Sequence, residues 1–292
     1  MLTAIIGLVG ALVYGAADFL GGLASKRISP VRVTALSAAS GLVGLVLVLA
    51  FGFGEWSFEA VFWGALSGVS GALAIVLLYA CLAIGPMSIL SPLTAVVSAI
   101  VPMTWGLATG DELAPAGYVA LGIALAAVVL VGFVPEKGAV RPSVTGIIMA
   151  VGSGAMIGTF LILIDQTPED SGIVPLVANR SVSAAIMFTL VLVLWLISRH
   201  RAPAAATATV PRRGWRPGLL LAVACGVVDA AANVLLLVGI RIGELTVMSV
   251  LTAMYPAGTI LLAAVVLKER IAPVQWVGLA LALVAAALLA LA

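Results

Sequence analysis

The sequence predicts an all-α polytopic membrane protein: ten transmembrane helices arranged as two inverted five-helix repeats. Three observations carry this prediction. Of the 292 residues, 63% are hydrophobic and only 9% are charged, whereas soluble domains carry about 25% charged residues. Apolar runs recur along the whole length, each long enough to cross about 30 Å of hydrocarbon. Finally, one stretch occurs twice: Ile84 to Ala127 recurs without a gap as Ile242 to Ala285, at an offset of 158 residues. Ser91 falls on Ser249, Leu93-Thr94-Ala95 on Leu251-Thr252-Ala253, Asp111 on Glu269, Ala114-Pro115 on Ala272-Pro273 and Tyr118 on Trp276. In a chain this rich in aliphatic residues, the Ser-x-Leu-Thr and acid-x-x-Ala-Pro matches are the informative ones.

The spans follow in order. The first covers about 2–24, and its lack of a basic leader reads as a spanning helix rather than a cleaved signal. The second covers about 31–51 and the third about 58–82. A Gly85-Pro86 turn leads into the fourth at about 87–109. The fifth, about 114–134, is entered through Pro115, whose missing N–H costs nothing in a first helical turn. A charged break from Pro135 to Pro142 separates repeat units at 1–134 and 143–292. The sixth and seventh spans cover about 143–165 and 173–197, and Ser198 to Arg216 reads as a long polar loop. The eighth, ninth and tenth cover about 217–240, 245–267 and 273–291. Five spans per unit is an odd number, so the second unit enters from the opposite face of the membrane. Inverted repeats meeting at the midplane are a signature of secondary transporters.

Charge sets the expected orientation. Lys26, Arg27, Arg32, Lys137, Arg141, Arg199, Arg201, Arg212, Arg213, Arg216, Lys268 and Arg270 fall on one side. The other side holds Arg241 with Glu55, Glu59, Asp111, Glu112, Glu169, Asp170 and Glu244. The basic side is expected to be cytoplasmic, with both termini outside a cell membrane. The net charge of +2 gives no reason to expect a nucleic-acid partner. Cys81 and Cys225 lie inside apolar runs and read as small core residues. No HExxH, Gly-x-Ser-x-Gly or nucleotide-binding loop occurs, and the one histidine, His200, falls in the polar loop. Neither catalysis nor a cofactor or metal is expected.

The unit of five apolar helices, closing with an acid, Ala-Pro, an aromatic and a last helix, resembles the drug/metabolite transporter superfamily, EamA-like family. Leu267-Lys268-Glu269-Arg270-Ile271-Ala272-Pro273-Val274-Gln275-Trp276-Val277-Gly278 carries the likeness most closely, with Lys268 where the family has Gly. Gly110-Asp111-Glu112-Leu113-Ala114-Pro115 is a looser copy. The resemblance implies a secondary transporter of small metabolites or drugs, often an exporter. Family members are typically basic between the second and third spans; here that loop carries Glu55 and Glu59. A non-transporting scaffold or sensor subunit is the alternative.

An ionised group at membrane depth costs about 2.5 kcal/mol or more unless paired or solvated. Asp18, Arg180 and Asp229 lie at such depth, and Asp165 falls at an interface. Asp229 and Asn233 are four residues apart and share a helix face, as do Tyr14 and Asp18. With Asn179 they are expected to line one polar cavity, binding a small-molecule substrate and a coupling proton. Thr94, Thr252, Tyr255 and Tyr79 complete the candidate set, beside prolines at 92, 102 and 256 that interrupt helices and free carbonyls. Trp63 and Trp105 are cavity or packing aromatics; Trp56, Trp215 and Trp276 lie where interface anchors do. Asp111 and Glu269 precede helices and read as caps.

Overall fold

A computed structural model describes residues 1–52, 54–84, 87–132, 142–200, 216–268 and 270–291. Among these residues the protein is all helix, and ten segments are long and apolar enough to span a bilayer. It is a multi-pass membrane protein. The helices are α1 (Leu2–Ser25), α2 (Pro30–Leu49), α3 (Phe58–Ile84), α4 (Met87–Thr109), α5 (Pro115–Gly132), α6 (Val144–Asp165), α7 (Val174–His200), α8 (Arg216–Ile242), α9 (Leu245–Thr252), α10 (Tyr255–Val266) and α11 (Pro273–Leu291). A 3₁₀ turn, Glu169–Ser171, lies between α6 and α7.

The ninth span breaks into α9 and α10, and Pro256 stands in the first turn of α10. There its absent N–H interrupts nothing. The fourth span behaves differently: α4 is continuous with Pro92 and Pro102 inside it, so the expected interruption is absent. In lipid, neighbouring helices absorb such prolines by packing. Here Pro92 fits over Gly132, and Pro102 over Gly158. The seventh span is longer than expected, its helix running on to His200. The Gly85-Pro86 turn, the 133–141 break, most of the polar loop with Trp215, and Glu269 lie outside the described residues.

The helices do not pack half against half. In one bundle, α1 and α2 lie on α8, and α1 also lies on α9 and α10. In the other, α6 and α7 lie on α3, and α6 also lies on α4. The last helices, α5 and α11, pair with each other. Each bundle therefore combines the opening helices of one half with the later helices of the other. The contact scheme keeps its form when the halves are exchanged. The bundles meet where α2 touches α7 and where α4 touches α9.

Two glycines at the repeat offset of 158 make the same kind of close approach. A Cβ on Gly68 would collide with the Asn179 carbonyl, and one on Gly226 with the Ser37 carbonyl. Small residues at such crossings let helix backbones touch in lipid. Gly68→Val and Gly226→Val are expected to lower the melting temperature in detergent, each overpacked site costing about 1–3 kcal/mol. Gly44→Val, where nothing lies within 4 Å, should leave it unchanged.

Candidate functional site

An ion pair joins the two bundles. Arg180 of α7 donates from Nη2 to Oδ2 of Asp229 on α8. The side chains are 15% and 22% exposed. Asn233, one turn along α8, donates from Nδ2 to the Asp229 carbonyl at 2.8 Å and to its Oδ2 at 3.4 Å. Across the interface α7 is anchored to α3. Asn179 Nδ2 donates to Ser67 Oγ at 2.8 Å, and Ser183 Oγ donates to the Gly68 carbonyl at 3.0 Å.

These groups face a cavity of about 170 Å³ between the bundles. Its polar wall includes Tyr14, Asn179, Arg180, Ser183, Asp229 and Asn233; its apolar wall includes Ile75, Ile157, Phe160 and Met187. The two walls differ at positions 158 residues apart. At the offset of 158, Gly71 corresponds to Asp229 and Ile75 to Asn233, and all four line the cavity. One copy supplies polar groups where the other supplies small or apolar ones.

The bundles are fastened together on the acidic side of the cavity. An apolar plug there includes Leu45, Leu161, Ile164, Leu176, Leu237 and Met248, drawn from both bundles. Leu237 is 1% exposed. Tyr14 and Phe160 of the cavity wall pack against this plug. Beyond it, Arg241 of α8 donates from Nη2 to the Pro168 carbonyl at 3.1 Å and to Ser171 Oγ at 2.9 Å. The Glu55 N–H donates to the Asp170 carbonyl at 3.1 Å. Gly54, at φ 128°, lies so close to Ser171 that a side chain would collide with it. On the flank, Asp111 Oδ2 accepts from the Thr246 N–H at 2.9 Å, and Thr246 Oγ1 donates to the Met103 carbonyl at 3.2 Å. Burial, with Asp111 and Glu112 nearby, pushes the Glu244 carboxyl above the usual range.

The family model of the EamA-like transporter family matches residues 144–291. The chain belongs to the EamA-like transporter family. The match spans α6 to α11, the helices of the second half. A solved structure described as "Crystal structure of protein" is 19% identical, with a TM-score of 0.73. The likeness covers 99% of this chain and 98% of that one, and establishes the fold. No curated protein matches.

In this EamA-like protein the candidate residues separate into two sets. Tyr14, Asn179, Arg180, Asp229 and Asn233 come together at the cavity. Asp18 is not on its wall; it is exposed on α1, near enough to Asp229 and Tyr255 to interact with both electrostatically. Thr94 is 1% exposed, and its hydroxyl donates to the Leu90 and Ala150 carbonyls. In apolar surroundings a hydroxyl takes the nearest carbonyl, so Thr94 fastens α4 to α6 instead of lining the cavity. Thr252 and Tyr255 flank the α9–α10 break, where α10 meets α1 through the bond from Thr259 Oγ1 to the Gly15 carbonyl at 3.1 Å. The side chain of Tyr79 lies outside the described residues.

Asp111 is a cap, but of α9 in the other half and not of α5, which follows it. Asp165 ends α6 and accepts from Gln166 Nε2 at 3.2 Å. Trp56 and Trp276 are exposed, and so is Trp105, which faces outward. Cys81 and Cys225 are buried. Sequence reasoning passed over Ser183, Phe160, Met187 and Arg241. A lone serine or apolar side chain carries no cavity signal, and Arg241 read as a minority charge on the acidic side.

Proposed function

We propose that this EamA-like protein is a secondary transporter that moves a small amphipathic metabolite or drug by alternating access, exporting it from the basic, cytoplasmic side. The observation that carries the proposal is the Arg180–Asp229 pair, which bridges the two bundles across the cavity. A pair with that location is both a binding element and a fastening between the parts that would have to separate. A solute carrying charges of both signs can replace it, offering an anionic group to Arg180 and a cationic or donor group to Asp229. Its apolar portion would rest on Phe160, Met187, Ile157 and Ile75. Exchange between a cavity ion pair and the cargo's own charges leaves no unpaired charge at depth, which would otherwise cost several kcal/mol.

We read the two halves as inverted repeats, supported by the exchangeable contact scheme and by the odd number of spans in each half. The plug and the Arg241 contacts support an assignment of this conformation as closed on the acidic side. Opening that side would break the Arg241 and Thr246 bonds together. Asp18, beside the cavity and within the electrostatic reach of Asp229, is the proposed proton-carrying group.

The test is reconstitution in proteoliposomes with a panel of amino acids, sugars and cationic drugs, driven by an imposed pH gradient. Accumulation of at least one solute bearing both charge and apolar surface is expected, and Asp18→Asn is expected to remove its dependence on the gradient while leaving exchange intact. Failure of every panel member to move, with correctly folded protein, would favour a scaffold or sensor.

A further inference from the structure

A second feature lies outside the cavity, on the outer edge of the acidic-side closure. On the acidic side of the plug, α2, α8 and the loop before α7 enclose a crevice of about 560 Å³. Its lower wall is apolar and includes Val48, Val234 and Val238. Val48 and Val238 are 44% and 40% exposed, and their neighbours Val46 and Leu47 are 47% and 62% exposed. These residues belong to spanning segments, so the crevice opens sideways toward lipid. Its upper wall is charged: Arg241 in the last turn of α8, then Glu169 and Asp170 in the loop beyond the helix ends.

The order of these charges along the membrane normal is informative. Arg241 makes its hydrogen bonds to uncharged partners, the Pro168 carbonyl and Ser171 Oγ, and interacts with Glu169 and Asp170 electrostatically without an ion-pair contact to either. By element, Arg241 belongs to the last turn of a spanning helix and the two carboxylates to the loop beyond the helix ends. A zwitterionic phospholipid has the same arrangement in complementary sign: acyl chains deepest, phosphate next, ammonium outermost. We propose that this crevice binds a phospholipid with a protonated amine headgroup from the leaflet on the acidic side. Its phosphate meets Arg241, its ammonium meets Glu169 and Asp170, and one acyl chain lies along Val48, Val234 and Val238. An anionic lipid without the amine satisfies Arg241 but places a hydroxylated headgroup against two carboxylates that then lack a counter-charge. Discrimination therefore rests on the acids, and retention on the arginine.

Native mass spectrometry on the purified full chain tests this, with the detergent-solubilised protein offered phosphatidylethanolamine and phosphatidylglycerol of matched acyl chains in equal amounts. The wild type should retain phosphatidylethanolamine in preference, by roughly two- to fivefold, the range of partly exposed ion pairs. Arg241→Gln should reduce retention of both lipids. Because Arg241 also fastens the loop, a second variant keeps the test independent of that role. Glu169→Gln/Asp170→Asn leaves the Arg241 bonds and the Asp170 carbonyl in place, and should bring the two lipids to equal retention. Equal retention by the wild type, or a preference unchanged in the acid-pair variant, would overturn the proposal.

Discussion

Arg180→Gln is expected to cut proteoliposome flux at least about tenfold and to destabilise the protein, and the two effects should separate in a double variant. The single substitution leaves Asp229 at mid-depth with Asn233 as its remaining side-chain partner. Breaking a buried pair by removing one member typically costs about 3–5 kcal/mol, because the survivor is uncompensated. Asp229→Asn should behave alike for flux. Arg180→Met/Asp229→Leu removes both charges and keeps apolar volume, so its melting temperature should return to within a few degrees of wild type. Its transport should not return. If flux recovers with stability, the pair only holds α7 against α8, and the cavity assignment fails. Thermal stability and flux must be read on the same preparations for that reason.

The second large effect concerns the acidic-side closure. Leu237 is fully buried in the plug that joins α2, α6, α7, α8 and α9. Truncating a buried leucine costs about 2–5 kcal/mol. Where that contact exists only with the acidic side closed, the loss shifts the closed–open equilibrium by one to three orders of magnitude, at about 1.4 kcal/mol per tenfold. Leu237→Ala combined with Arg241→Gln is expected to admit a membrane-impermeant thiol reagent from the acidic side to a cysteine at position 183, in a background with Cys81 and Cys225 replaced by serine. The same position with Leu237 and Arg241 intact should be labelled at least about tenfold more slowly. Equal rates would mean that the plug and Arg241 do not govern access.

Much of the fold was legible because the bilayer imposes one-dimensional rules. Apolar run length alone predicts ten spans, and ten segments long and apolar enough to span are found among the described residues. Pro256 also signalled a break correctly, since a proline beside Tyr255 begins a new first turn. Pro92 and Pro102 did not, because whether a proline interrupts a lipid-embedded helix depends on the neighbour that receives it. The exchange of helices between bundles was not legible. Helices apolar on every side carry little indication of which face meets which partner. The glycines marked close approaches without naming the helix approached.

At the site, spacing was informative where charge was scarce. Asp229 and Asn233 share a face by their four-residue separation, and Arg180 is conspicuous in an apolar run. Asp18 was equally conspicuous yet stands off the cavity wall, since sequence gives depth along a helix but not the direction it faces. Thr94 illustrates a further limit: a hydroxyl can satisfy itself on its own helix, so its presence at depth predicts no ligand. Asp111 shows that an acid before one helix can cap another that only the folded chain brings near.

The claim of alternating access is tested most directly by tying the bundles together on the acidic side. Asp111 and Thr246 are in contact across the bundle boundary, carboxylate to backbone N–H at 2.9 Å. Cysteines at these two positions, with Cys81 and Cys225 replaced by serine, can form a reversible bridge, and flux of the solute found in the panel is then measured before oxidation, after it and after reduction. The proposed mechanism predicts loss of flux on oxidation, retained solute binding from the basic side, and recovery on reduction. Unchanged flux through the bridged protein would contradict it.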